Sequence, residues 1–172
     1  MYSIVDIETT GGVPSNGGIT EIAIYVHDGD RVVKEYHTLI NPQRAIPYFI
    51  TNLTGISNAM VASAPTFDEV ASTIYEIIAD TTFVAHNVNF DFSFVQYFLK
   101  QSGYELAVNK LCTVRLSRKI FPGYNSYSLE KICDSLGIGI SDRHRARGDA
   151  HATVLLFEKL LIKDRGLVLG IK

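Results

Sequence analysis

Apolar and polar positions follow three rhythms in the first forty residues. Tyr2 to Thr9 is an apolar run interrupted by Asp6 and Glu8, and it reads as a buried strand. Ile19 to His27 is more uniformly apolar, with Ile22, Ala23, Ile24, Tyr25 and Val26 in succession. Arg31 to Ile40 sets Val33, Tyr36 and Leu39 against charged neighbours. The breaks between them, residues 13–18 and Asp28-Gly29-Asp30, are short and rich in turn formers. Three strands so joined predict an antiparallel meander.

From Asn41-Pro42 onward the rhythm lengthens. Tyr48–Leu53 and Ser57–Ala62 read as short helical pieces, and Phe67–Asp80 as a full helix. Thr66 and Glu69 form a capping-box pattern ahead of it, and Phe67, Val70, Ile74, Ile77 and Ile78 form its apolar stripe. Thr82–Ala85 is a fourth strand, Phe90–Lys100 a helix closed by Gly103, and Leu111–Val114 a fifth strand running into a helical turn through Ile120. Ser128–Leu136 is amphipathic, with Leu129, Ile132, Cys133 and Leu136 inward. The last helix starts between Ala146 and Gly148 and runs to about Lys163, with Val154, Leu155, Phe157, Leu160 and Leu161 as its apolar face. A meander, a crossover and a β-α-β unit predict an α/β fold. Its mixed five-stranded sheet has strands 1-2-3 antiparallel, strands 4 and 5 parallel, and helices on both faces. Ligands of such sheets sit outside the carboxyl ends of the parallel strands.

Composition narrows this picture little. The 172 residues suit one domain, and 47% hydrophobic with 20% charged residues suits a globular chain. No apolar run is long enough to span a membrane and no signal-peptide pattern is visible, so a cytoplasmic location is expected. Cys112 and Cys133 lack metal or redox spacing and read as packed thiols. A net charge of −2 argues against coating nucleic acid by bulk electrostatics, though not against gripping a few nucleotides at a metal site.

The chemistry starts at Asp6 and Glu8. A strand has a side-chain period of two, so both carboxylates point to one face. Two like charges roughly 4 Å apart, at an effective dielectric of about 20, repel by about 4 kcal/mol. Asp91 opens the helix after the fourth strand and Asp149 sits in the first turn of the last helix. Each taken singly is an ordinary acid at a helix N-terminus. If the last helix packs across the same end of the sheet, four carboxylates converge, and that needs countercharge. Two Mg²⁺ ions (Mn²⁺ able to substitute) supply it and support two-metal phosphodiester hydrolysis. His144, five residues before Asp149, is placed to accept the proton of the attacking water.

Asp6-Ile7-Glu8-Thr9-Thr10-Gly11, His86-Asn87-Val88-Asn89-Phe90-Asp91, and His144 with a four-residue spacer before Asp149 occur in that order. The chain resembles the DEDDh-type 3′–5′ exonucleases, which have an RNase H-like fold and include the proofreading subunit of bacterial replicative DNA polymerase. The resemblance runs from Tyr2 to about Leu161. It implies a single exonuclease domain over residues 1–172, with Asp6, Glu8, Asp91 and Asp149 as metal ligands and His144 as general base. It also implies that Thr9 and Thr10 hold the terminal nucleotide, and that Leu53, Thr54, Gly55 and Ile56 pack against the 3′-terminal sugar and base. Asn87 and Phe90 would line the scissile phosphate, with mere packing an equal reading for Phe90.

The implied activity is release of nucleoside 5′-monophosphates from single-stranded or frayed DNA. The alternatives are the same chemistry on RNA and a non-catalytic nucleic-acid or partner-binding module. A polymerase or a fused nuclease module is the implied partner; the chain ends at Lys172 soon after the last helix, so no tail tether is expected. Glu21 reads either as a strand-edge residue or as a contact to the terminal ribose. His27, His37 and His151 read as surface or structural, and His86 as a cap or packing residue. Two basic runs, Arg115/Arg118/Lys119 and Arg143/Arg145/Arg147, read as solvated faces or as contacts to the strand's phosphates.

Overall fold

The computed structural model describes residues 1–164, so residues 165–172 of the expected domain lie outside the described residues. Strands β1 (Tyr2–Thr9), β2 (Ile19–His27) and β3 (Val32–Leu39) form the expected meander. Helices α1 (Tyr48–Thr54), α2 (Asn58–Val61) and α3 (Phe67–Ile78) follow, then β4 (Thr82–Ala85), α4 (Val88–Gln101), β5 (Lys110–Cys112), α5 (Thr113–Ile120), α6 (Leu129–Ser135) and α7 (Ala146–Asp164). The sheet order is β3-β2-β1-β4-β5. β1 pairs antiparallel with β2 and parallel with β4, and β4 pairs parallel with β5.

Two boundaries differ from the sequence reading. The fifth strand is shorter and earlier than Leu111–Val114, because Thr113 already begins α5. Its hydroxyl and Nδ1 of His86 lie 2.9 Å apart, while Nε2 of His86 lies 2.9 Å from the carbonyl of Tyr127. A carbonyl only accepts, so Nε2 carries the hydrogen and Nδ1 accepts from Thr113. His86 thus ties the β4–α4 junction to α5 and to the turn before α6. Helix α4 starts at Val88 rather than Phe90, with Asn87 in a left-handed conformation ahead of it.

The period-two alternation of the strands sorts the core onto two faces. Val5 and Ile7 of β1, Ile22, Ile24 and Val26 of β2, and Phe83 and Ala85 of β4 pack with α3 and α4. Ile4, Ala23, Tyr25 and Val84 face α7, meeting Ala146, Ala150, Val154 and Phe157. The seam between α7 and the sheet is therefore partly alanine against alanine, which lets the helix lie close. The other flank of α7, with Ala152, Leu156 and Leu160, packs on Ile132, Cys133 and Ile138. Where periodicity alone predicts a single apolar face for α7, the structure sandwiches the helix between the sheet and α6. In α3 the Glu69 carboxylate accepts from the Thr66 N–H at 2.7 Å and from its hydroxyl at 2.9 Å, closing the helix start. Among the described residues no helix is long and apolar enough to cross a membrane.

Ile74 is fully buried in the α3–sheet layer. Truncating it to Ala should cost about 2–5 kcal/mol of stability, measured as a lower urea midpoint with an unchanged slope.

Candidate active site

By the same alternation Asp6 and Glu8 share the Ile4 face of β1, the face that α7 covers. Helix α7 begins there, and Asp149 is in its first turn. One carboxylate oxygen each from Asp6, Glu8 and Asp149 can be chosen so that all three lie within 4.8 Å of one another. Asp91 arrives from the opposite side: α4 packs on the other face of the sheet, and its first turn brings Asp91 to the same end. It lies outside that group of three, yet its charge bears on Asp6 more than that of any other residue. It is also nearly fully buried, whereas the other three acids are half-buried.

The electrostatics follow from crowding. Burial pushes Asp6 well above the ordinary carboxylate range, and the charges of Asp91, Asp149, Glu8 and Glu21 push it further. Glu8 is raised to about 8 by burial, Asp149 and Glu21, with Arg145 opposing. Asp91 is also raised to about 8, chiefly by burial, against the backbone N–H groups of Asp91 itself and Ile7. Burial raises Asp149 too, opposed by the backbone N–H of His144, which donates to Oδ2 at 3.2 Å. Four acids with so little countercharge and an all-oxygen donor set suit hard divalent cations such as Mg²⁺ or Mn²⁺. Asp6, Glu8 and Asp149 would hold such ions from the sheet and α7, with Asp91 behind them.

His144 lies in the segment just before α7, with φ of 59°, and Asp142 two residues earlier has φ of 52°. Left-handed backbone is costly for residues other than glycine. The surroundings impose it. Gly148 approaches this segment so closely that an added Cβ would collide with the carbonyl oxygens of Ser141 and Asp142. On the other side, Arg145 grips Glu21 with two hydrogen bonds, Nε to Oε2 at 3.0 Å and Nη2 to Oε1 at 2.6 Å.

Glu21 is neither at a sheet edge nor open to a ribose. It lies in the interior strand β2, directly across from Glu8, with no exposed surface. Beyond Arg145, its oxygens accept from the Ala146 N–H at 2.8 Å and from Nε2 of His37 at 2.8 Å. Burial alone would push Glu21 up, but Arg145, His37 and Ala146 together hold it below the ordinary range. Sequence reasoning missed this network. The signal was an acid inside an otherwise apolar strand, which demands a cationic partner.

The residues expected around the terminal nucleotide divide into two groups. Thr9 and Thr10 are buried, and both hydroxyls work within the turn: Thr9 donates to the Gly11 carbonyl at 2.8 Å, and Thr10 accepts from the Gly18 N–H at 2.9 Å. Thr54 caps its own helix by donating to Ile50, Gly55 takes the left-handed C-cap position with φ of 72°, and Ile56 is in the core with Ile46 and Val61. Leu53 is exposed, as are Tyr48 and Phe49 on the same helix, which the sequence reading did not single out. Asn87 is exposed at the head of α4, whereas Phe90 packs on Phe94 at 5.1 Å.

The basic runs also separate. Arg143 pairs with Glu130, Arg145 with Glu21 and Arg147 with Glu35. Arg115, Arg118 and Lys119 are exposed on α5, and among the described residues none of them meets a carboxylate; Arg118 lies over the Tyr127 ring at 5.7 Å. His27 is fully buried, accepting at Nδ1 from the Gly29 N–H, so it is structural rather than a surface residue.

A family model described as Exonuclease (RNase_T) matches residues 3–157. A 3′-5′ exonuclease DinG from Bacillus subtilis is 39% identical over 168 residues, which make up 96% of this chain and 18% of that protein. The chain therefore spans under a fifth of that relative's length. DNA polymerase III subunit epsilon from Aquifex aeolicus is 35% identical over 161 residues, 93% of this chain and 80% of that one. Among solved structures, exonuclease X in complex with 5′ overhanging duplex DNA superposes with a TM-score of 0.77 at 28% identity, covering 94% of this chain and 92% of that one. Exonuclease I from E. coli with a dT13 oligonucleotide has a TM-score of 0.84 at 17% identity, covering 96% and 42% respectively, a likeness of RNase H-like fold.

The raised carboxyls give the metal-free protein a characteristic pH response. A carboxyl whose folded pKa exceeds its unfolded value contributes stability that is fully present below the unfolded pKa and is lost as pH rises through the folded one. For Glu8 and Asp91 that window runs from 4.5 and 3.8, respectively, to about 8. In chelator the melting temperature should therefore fall between about pH 5 and pH 8.5, and saturating Mg²⁺ or Mn²⁺ should raise it more at the alkaline end. Scanning fluorimetry with and without metal checks both.

Proposed function

The chain belongs to the exonuclease (RNase_T) family, and from that premise we propose that it removes nucleotides one at a time from the 3′ end of single-stranded or frayed DNA. The observation that carries this reading is the convergence of Asp6, Glu8 and Asp149 on one ion-sized space at the carboxyl end of the sheet. The DNA preference draws support from the relatives: one is named as a DNA polymerase subunit, and exonuclease X was solved with DNA. RNA is the second substrate class, because the same phosphodiester chemistry serves either sugar and only contacts at the 2′ position tell them apart.

When bound, a pair of divalent cations supplies Lewis acidity at the scissile phosphate and offsets the charge of the four acids. The chain's residues do the rest. Water attacks phosphorus, and its proton passes to the imidazole of His144. The bond from phosphorus to the 3′-oxygen of the penultimate nucleotide breaks. The terminal nucleoside 5′-monophosphate departs, and the freed 3′-oxygen takes a proton from solvent to become the strand's new 3′-hydroxyl. Leu53, with Tyr48 and Phe49 beside it, offers an apolar surface for the terminal base. The cations of α5 accept phosphates of the strand behind the cleaved bond.

With 5′-labelled DNA and RNA oligonucleotides of matched sequence, a descending ladder is expected on DNA and a weaker one on RNA. Asp6→Ala and Asp149→Ala should reduce both to background while keeping a cooperative melt. His144→Ala should lower turnover by about 10²–10⁴, the span of a lost general base. Wild-type turnover in any of the three would remove that residue from the mechanism. Replacing Arg115, Arg118 and Lys119 with Ala should flatten the dependence of single-strand affinity on salt by about 0.7 logarithmic units for each phosphate no longer neutralised, measured by anisotropy in Ca²⁺.

A further inference from the structure

Within the exonuclease reading above, on which this rests, we propose that Glu21 is a positioning residue for hydrolysis. Together with Arg145 it forms an internal clasp that holds the His144 segment over the acid cluster. Four donors converge on the Glu21 carboxylate: Nε and Nη2 of Arg145, the Ala146 N–H and Nε2 of His37. The carboxylate is fully buried and both oxygens are occupied, so neither is free for a nucleotide. Two of the three residues it holds, Arg145 and Ala146, directly follow His144, and Ala146 begins the helix that carries Asp149.

The clasp has something to oppose. Asp142 and His144 are both held in left-handed backbone, a conformation that relaxes when its restraints are removed. Gly148 blocks the segment from below, where it closes on the Ser141 and Asp142 carbonyls. From the sheet side, the polar contacts that fix the far end of the segment run to Glu21. Without them, the histidine's backbone is tied to the cluster through the 3.2 Å hydrogen bond from the His144 N–H to Asp149.

Stability alone does not account for the pair. A buried ion pair is often no more stabilising than apolar residues of the same volume. This one is also set directly across from Glu8, where like charges on neighbouring strands repel. An acid placed there works against Asp6 and Glu8, both of which its charge pushes up, yet from β2 its side chain reaches the segment between α6 and α7. The charge answers a need of position. Arg145 is then committed to Glu21 rather than to the substrate, unlike Arg115, Arg118 and Lys119.

The test is a double-mutant cycle. Glu21→Gln keeps the shape of the side chain and weakens its hold on the guanidinium. It should lower kcat about tenfold or more with KM within about threefold, assayed well below its melting temperature. In the His144→Ala background the same change should alter kcat by no more than about twofold, because Glu21 acts through the histidine. Independently of turnover, hydrogen exchange across residues 141–149 of the metal-free protein should accelerate about tenfold in Glu21→Gln. If Glu21→Gln does not fold, Arg145→Lys carries the same comparison, since it keeps the cation and loses the two-pronged grip. An equal kcat loss in both backgrounds, or unchanged exchange of the segment, would overturn the clasp. Wild-type protein silent on every 3′ end would instead overturn the exonuclease reading, and the exchange measurement would still report on the clasp as a structural feature.

Discussion

Like charges forced together at the end of a buried strand are the constraint around which this chain is built. Asp6 and Glu8 share one face of β1, Glu21 lies across from Glu8, Asp149 descends from α7, and Asp91 comes round from α4. Burial deprives these groups of water, so their repulsion is felt as strongly raised proton affinity at Asp6, Glu8 and Asp91. The protein neutralises only one of the five. Arg145, His37 and a backbone N–H satisfy Glu21, and the other four keep the crowding that the proposed cations would relieve. That division separates what the fold needs from what the reaction needs.

The frame of this arrangement is legible in the sequence because it rests on short-range rules. The period of a strand puts Asp6 and Glu8 on one face without any knowledge of the fold. Three apolar runs with short turns make the meander, and the β-α-β order makes the parallel half. Asp91 and Asp149 stand at helix starts that the apolar stripes already bound. Glu21 is the failure. Its partner Arg145 is 124 residues away, and no local pattern joins them. Arg145 in turn looks like one of three arginines on a solvated face, when each of those three is committed to a different glutamate. Thr9 and Thr10 show a different limit. The motif marks both residues, but only the folded turn reveals that the Thr9 hydroxyl donates to Gly11 and that the Thr10 hydroxyl accepts from Gly18.

Helix α7 shows a further limit of periodicity. Its apolar positions suggest one face, but packing against both the sheet and α6 buries two. A helix without a broad solvated side gives a weak amphipathic signal, and its neighbours can be known only from the assembled fold. The same burial anchors the end of the helix that bears Asp149, because its neighbours Ala146 and Ala150 lie in the core.

The alanines of the α7–sheet seam carry a consequence for how such a site drifts. Ala23, Ala146 and Ala150 are core residues, yet their lack of bulk determines how near Asp149 comes to β1. Mg²⁺ and Ca²⁺ differ by about 0.3–0.5 Å in their preferred oxygen distances, less than the girth of one added methyl group. The gauge of the proposed ion cradle is therefore cut in hydrocarbon, at residues that an inspection of the acids alone would pass over.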